Sequence, residues 1–245
     1  MNFRYKPAGD RSILVELGDT INEKINARVR GLADLVESDG ESGFGEVILG
    51  YKTLLVDYDP IQLSFQEAVS EMKHWEDRII DQDAPKGRLV EIPTVYGGEM
   101  GPDLNDVAEH NGLTPEEVVK IHSGTRYLVY FLGFTPGFPF LGGMSEKIAT
   151  PRLSSPRVSI PGGSVGIAES QTGIYPVSSP GGWRLIGRTP VQLYDHEREN
   201  PFLLEPGDHV QFTQMEADEF EQIKAQVEKG EYHPVRTRKG GDEDF

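Results

Sequence analysis

Apolar positions in the first eighty residues recur at two periods. Ser12–Leu17 (SILVEL) alternates apolar with polar between Gly9-Asp10 and Gly18-Asp19, which predicts a half-buried strand. Ile21, Ile25, Val29, Leu32 and Val36 then follow at helical spacing and predict a helix over 21–37. Val47–Leu49 and Thr53–Tyr58 form a hairpin pattern about Gly50-Tyr51, closed by Asp59-Pro60. Ser64-Phe65-Gln66-Glu67 has the form of a capping box, and the helix it opens turns Phe65, Ala68, Val69, Met72 and Ile79 inward. The sum is β-α-β-β-α, one strand short of a ferredoxin-like split unit, with Arg88–Val95 as the candidate for the missing strand.

Polar residues with Pro and Gly over 81–87 mark a domain boundary, giving units of 1–84 and 85–245. Beyond it, Gly97–Pro102 is a loop, Asp103 is placed to cap a short helix, and Thr114-Pro115-Glu116-Glu117 opens a second that Gly124 ends. Arg126–Leu132 (RYLVYFL) is a strong strand. Val191–Tyr194 and His209–Phe212 are expected as further strands, Glu216–Glu228 as a closing helix, and the last ten residues as a mobile tail. From Gly133 to Gly187 lie eleven glycines and seven prolines, so no ordinary helix runs through that stretch. Apolar residues such as Ile160, Val165, Ile167, Val177, Leu185 and Ile186 are spread between its turns, the pattern of tightly turned β structure. The expected class is α+β, a small α/β domain followed by a β-rich, barrel-like one.

Composition narrows the function more by exclusion than by assertion. The net charge of −16, from 40 acidic and 24 basic residues, argues against non-specific nucleic-acid binding and against an anionic membrane surface. No run of about 18 apolar residues is present, and the first residues lack the apolar core and cleavage site of a secretory signal. Without cysteine there is no disulfide, thiolate nucleophile or zinc ribbon. A cytoplasmic setting follows most simply. No Walker-type phosphate loop, GxGxxG, HExxH, EF-hand or GxSxG pattern occurs, and the six histidines show no ligand spacing, so no metal is expected on this chain.

The central stretch has a charge balance of its own: Lys147, Arg152, Arg157 and Arg184 stand against only Glu146 and Glu169. Arg152 and Arg157 each follow a proline that stiffens the backbone, and a guanidinium so held grips a carboxylate or phosphate in bidentate fashion. Pairing with an acidic neighbour is the equal alternative for both. Gly162-Gly163-Ser164-Val165-Gly166 offers successive amides as an anion nest or simply a turn. Gln171, Thr172 and Tyr175 are polar groups among tight turns, suited either to a small polar ligand or to satisfying loop amides. Acid–base groups come from Glu169, from Tyr175 or from another polypeptide. Phe134, Phe138, Phe140 and Trp183 line a mouth, meet a partner or fill the core; the turn Pro136–Phe140 works against burying every ring.

FLGFTPGFPFLGGM, TPR (150–152), the run from Pro156 to Pro190 and EIPTVYGGEMGPDL (91–104) together resemble the allophanate-hydrolase-subunit-1 family, over about residues 5–213. That family includes one component of bacterial 5-oxoprolinase and inhibitors of the KipI type. The resemblance implies a ferredoxin-like N-terminal domain and a cyclophilin-like β-barrel C-terminal domain. It implies a subunit-2 (KipA-like) partner, a LamB/YcsF-type third subunit and ATP-dependent opening of 5-oxoproline to glutamate by the assembly, with the nucleotide held mainly elsewhere and this chain inactive alone. Two other roles come with it: inhibition of histidine-kinase autophosphorylation, and a carboxyltransferase module of a biotin-dependent urea carboxylase. On this basis Arg152, Arg157, Ser164, Gln171, Thr172 and Tyr175 are expected at the substrate, and Phe134, Phe138, Phe140 and Trp183 toward the partner.

Overall fold

The computed structural model describes residues 3–38, 43–80, 87–232, 234 and 236–238. The chain divides into two compact units, 1–85 and 86–245.

In the first unit, β1 (Arg4–Pro7), β2 (Ser12–Glu16), β3 (Phe44–Leu49) and β4 (Thr53–Tyr58) form an antiparallel sheet in the order β1-β2-β4-β3. Helices α1 (Glu23–Ser38) and α2 (Phe65–Ile80) pack on it. Alternation places Ile13 and Val15 from β2 and Leu54 and Val56 from β4 in a core with Ile25, Val29, Leu32, Val36, Ala68, Met72 and Ile79. The side chain of Asn22 accepts from the Ile25 amide and so starts α1; Ile21 stands before that cap and is more than half exposed, outside the expected helical face. The Ser64 capping box forms in both directions, Ser64 N to Glu67 Oε2 and Glu67 N to Ser64 Oγ. The fourth strand of this sheet is β1, not Arg88–Val95. It pairs with β2 through Arg4↔Glu16 to Pro7↔Ile13.

The second unit begins with the strand that was a candidate to complete the first sheet. β5 (Arg88–Tyr96) leads to α3 (Leu104–Asn111), α4 (Pro115–Ser123), β6 (Arg126–Leu132) and β7 (Pro139–Gly142). A 3₁₀ turn at Glu146–Ile148 precedes β8 (Arg157–Ile160), β9 (Ser164–Ala168), β10 (Gln171–Ile174), β11 (Ser179–Gly181) and β12 (Arg184–Arg188). β13 (His209–Gln214), α5 (Ala217–Glu228) and β14 (Arg236–Arg238) complete it. The large sheet runs β10-β9-β12-β5-β13-β6-β7, with β14 also on β5, and its end strands β7 and β10 lie side by side, so the sheet nearly closes into a barrel. β8 and β11 form a separate two-stranded ribbon.

β5 belongs here because its partners are distant in sequence: β13 runs parallel to it from His209↔Leu89 to Gln214↔Thr94. The interior is filled by Val90, Ile92, Val129, Leu141, Val165, Ile167, Ile174, Ile186, Val210 and Phe212; each such side chain contributes about 1.5–3 kcal/mol by burial. Thr114 makes the expected capping box for α4. Val191–Tyr194 forms no strand, its only ladder contact being a single bridge from Tyr194 to Phe202. Part of the expected tail is ordered, since β14 pairs with β5 over Arg236↔Val90 to Arg238↔Arg88; residues 239–245 lie outside the described residues.

Candidate functional site

A cavity of about 180 Å³ opens in the second unit where the Pro/Gly-dense stretch folds back on itself. It is lined by Phe134, Phe138, Phe140, Arg152, Gln171, Tyr175, Pro180, Gly181, Gly182 and Trp183. Phe138 is the hub: its ring meets those of Phe134, Phe140, Tyr175 and Trp183 edge to face, at centroid distances of 5.4–5.8 Å. Such pairs add about 0.5–1.5 kcal/mol each beyond burial. The packing needs glycine on two walls. A Cβ at Gly173 would stand 3.1 Å from the Phe138 ring, and one at Gly181 would stand 2.4 Å from the Tyr175 hydroxyl.

Strand parity decides which of the expected residues meet there. In the β9–β10 hairpin, Gln171 pairs with Ala168, Thr172 with Ile167, Gly173 with Gly166 and Ile174 with Val165. Val165, Ile167 and Ile174 belong to the barrel core, so Thr172 faces inward with them while Gln171 and Gly173 face the cavity. Thr172 is therefore corrected as a ligand contact. Its hydroxyl donates to the Gly166 carbonyl (3.0 Å) and meets His122 Nε2 (2.8 Å). Ser164 is likewise buried, at the other end of the hairpin, and does not line the cavity.

Arg157 is also not among the lining residues. Its Nη2 donates to Asp103 Oδ1 at 2.7 Å, so of the two alternatives the acidic partner holds. Asp103 is the residue that sequence reasoning misread. It makes no side-chain cap on α3; its other oxygen accepts from the Leu185 amide at 2.7 Å. An aspartate just before a helix carries the same signal whether it caps or clamps, so nothing local distinguishes the two. Arg184 is paired as well, with Asp106 at 2.8 Å.

Arg152 differs. It is exposed at the cavity and, among the described residues, has no hydrogen-bond or ion-pair partner. Together with Arg157 it favours the ionised form of Tyr175, yet burial of that phenol outweighs both and pushes its pKa up to about 12. The four aromatic residues expected at a partner have divergent placements. Phe138 is buried, Phe140 and Trp183 are half-buried, and Phe134 is 72% exposed at the rim with a left-handed backbone (φ 63°). A phenylalanine in that region carries a conformational cost of about 1–3 kcal/mol.

Behind the hairpin runs a buried chain of polar groups that the sequence did not reveal. Tyr96 Oη lies 2.8 Å from His122 Nδ1, and His122 Nε2 lies 2.8 Å from Thr172 Oγ1. Thr172 gives its only proton to Gly166, so it accepts from Nε2–H, and Nδ1 accepts from Tyr96. Burial alone lowers the His122 pKa to about 3, so the ring is neutral. Among the described residues no group of three or more His, Asp or Glu is placed to hold a metal ion.

The second unit is thus a nearly closed barrel of the carboxyltransferase type, with an aromatic cavity beside an arginine that has no partner among the described residues. The chain belongs to the family described as carboxyltransferase domain, subdomain C and D, which matches residues 3–204. It is 43% identical to the B subunit of 5-oxoprolinase from Bacillus subtilis, over 91% of this chain and 98% of that one. The protein of the same name from Escherichia coli O157:H7 is 41% identical over 84% and 93%. Of solved structures, TTHA0988 is 40% identical with a TM-score of 0.76 over 84% of this chain, which spans 41% of that longer one.

Proposed function

We propose that this chain is the B component of an ATP-dependent 5-oxoprolinase and that the cavity beside Arg152 receives the carboxylate of 5-oxoproline. One observation carries the placement: Arg152 is a cation without a counter-charge among the described residues, set at an aromatic cavity sized for a small molecule. A guanidinium in that position binds a carboxylate through charge-assisted, bidentate hydrogen bonds. The lactam ring suits the aromatic walls that Trp183 and Phe140 supply, and Gln171 adds a polar side chain at the wall. The names of the relatives at 41% and 43% identity supply the substrate and the role within a larger enzyme.

In this reading the chain does not act alone. A subunit-2 partner and a LamB/YcsF-type subunit complete the enzyme in the cytoplasm, and the partners provide most of the ATP site. A cavity of about 180 Å³ with one arginine fits a small carboxylate rather than a nucleoside triphosphate. Phe134, exposed and held in a left-handed conformation, is the strongest candidate for a partner contact. The same rim would serve a histidine kinase in a KipI-type inhibitor, but the relatives' names favour the enzyme. We also assign the first unit to the ferredoxin-like class, supported by its β1-β2-β4-β3 order with two helices. The second is assigned to the cyclophilin-like barrels, an assignment that carries no isomerase activity with it.

The test is reconstitution. The chain alone is expected to release no glutamate from 5-oxoproline; with both partners and ATP, glutamate accumulates in proportion to ATP consumed. A well-folded three-part assembly that yields none removes this reading. A biotin requirement would move the assignment to the urea-carboxylase role that the family match also permits.

A further inference from the structure

Tyr175 is built into the cavity wall in an unusual way. Its ring is fixed edge-on between Phe138 (5.7 Å, 83°) and Trp183 (6.3 Å, 82°), and only 2% of the residue is exposed. Yet the residue lines the cavity, and the space around its hydroxyl exists because Gly181 has no side chain: a Cβ there would clash with the oxygen. The hydroxyl proton has no acceptor among the described residues.

An unengaged donor in an apolar wall selects its ligand. When water leaves the cavity, the donor must find an acceptor on the incoming molecule or stay unsatisfied, which costs binding free energy. Arg152 already provides for a negative group at the exposed side. The inner donor therefore calls for a second acceptor on the same ligand, within a ring's width of the carboxylate.

We infer that Tyr175 donates a hydrogen bond to the amide carbonyl oxygen of the ligand whose carboxylate Arg152 holds, and so sets the preference for lactam acids over simple carboxylic acids. This inference rests on the proposed binding of a carboxylate in the same cavity. The phenol stays protonated across the working pH range because burial holds its pKa at about 12. A neutral donor fixed at a carbonyl oxygen also stabilises negative charge that gathers there as the ring opens, which links the contact to turnover as well as to affinity.

The experiment compares two ligands on the assembled complex by calorimetry: 5-oxoproline, and cyclopentanecarboxylate, which keeps the ring and carboxylate but lacks the carbonyl. Wild-type protein is expected to prefer 5-oxoproline by about tenfold, the range of one hydrogen bond that leaves a donor unpaired when missing. Tyr175→Phe keeps the ring packing and is expected to reduce that preference to about unity, with cyclopentanecarboxylate affinity unchanged. Arg152→Gln should weaken both ligands alike. A preference that survives Tyr175→Phe overturns the inference and leaves the carboxylate reading standing. Equal affinities on wild-type protein overturn it without any variant, and equal loss of both ligands in Tyr175→Phe assigns the residue to packing instead. Wild-type protein that binds neither ligand ends both readings.

Discussion

Arg152 and Arg157 carry the same sequence signal, a proline followed by a guanidinium, and have opposite fates. Arg157 finds Asp103, more than fifty residues earlier in the chain, while Arg152 finds no partner among the described residues. Only the tertiary structure separates them, because the deciding carboxylate is not a sequence neighbour. His122 is likewise placed by the tertiary structure alone. A lone histidine on a short helix gives no hint of its role, yet the fold seals it between Tyr96 and Thr172. Its imidazole takes a proton below about pH 6.5 in the unfolded chain but in the folded chain only near pH 3. The folded pKa is depressed, so its contribution to stability is full above about 6.5 and is lost progressively as pH falls toward 3. Between pH 7 and pH 5 the wild type should lose about 2 kcal/mol more stability than His122→Gln, read from urea midpoints. Parallel losses in the two proteins would show that the ring is not held neutral.

Elements were legible where the determining contacts are local. The capping boxes at Ser64 and Thr114 and the strand at Arg126–Leu132 follow from residues a few positions apart. β1 was invisible because Arg-Tyr-Lys-Pro has little apolar alternation and is largely exposed at the sheet edge. β5 was a candidate for the first sheet's missing strand, although the boundary over 81–87 already set it in the second unit, because its pairing with β13 spans about 120 residues, a separation that no local pattern reports. In the cavity, the Pro/Gly density did point to Gln171 and Tyr175, but the choice between Gln171 and Thr172 is one of strand phase. A single-residue shift exchanges the two faces. Asp103 joins α3, β8 and β12 by accepting from Arg157 and from the Leu185 amide. Asp103→Ala strands both donors and should cost about 2–3 kcal/mol in urea unfolding, with Arg157 freed toward the cavity side. A loss under about 0.5 kcal/mol would show that the clamp is dispensable.

At the scale of the molecule, each unit has its own apolar core, and the cavity is built wholly from the second. The overall charge of −16 makes a locally uncompensated arginine more informative, since acidic residues outnumber basic ones and a surface cation is rarely far from a carboxylate. No described helix is long and apolar enough to cross a membrane. In the proposed binding mode Arg152, which has no partner among the described residues, meets a substrate carboxylate, while Arg157 and Arg184 serve the structure through Asp103 and Asp106. Glutamate release by the three-part assembly should therefore be measured with Arg152→Gln and with Arg184→Gln in this chain. We expect kcat/KM to fall at least about tenfold for Arg152→Gln and to stay near wild type for Arg184→Gln, whose partner Asp106 is at the surface. Wild-type activity in the Arg152→Gln assembly would contradict that binding mode.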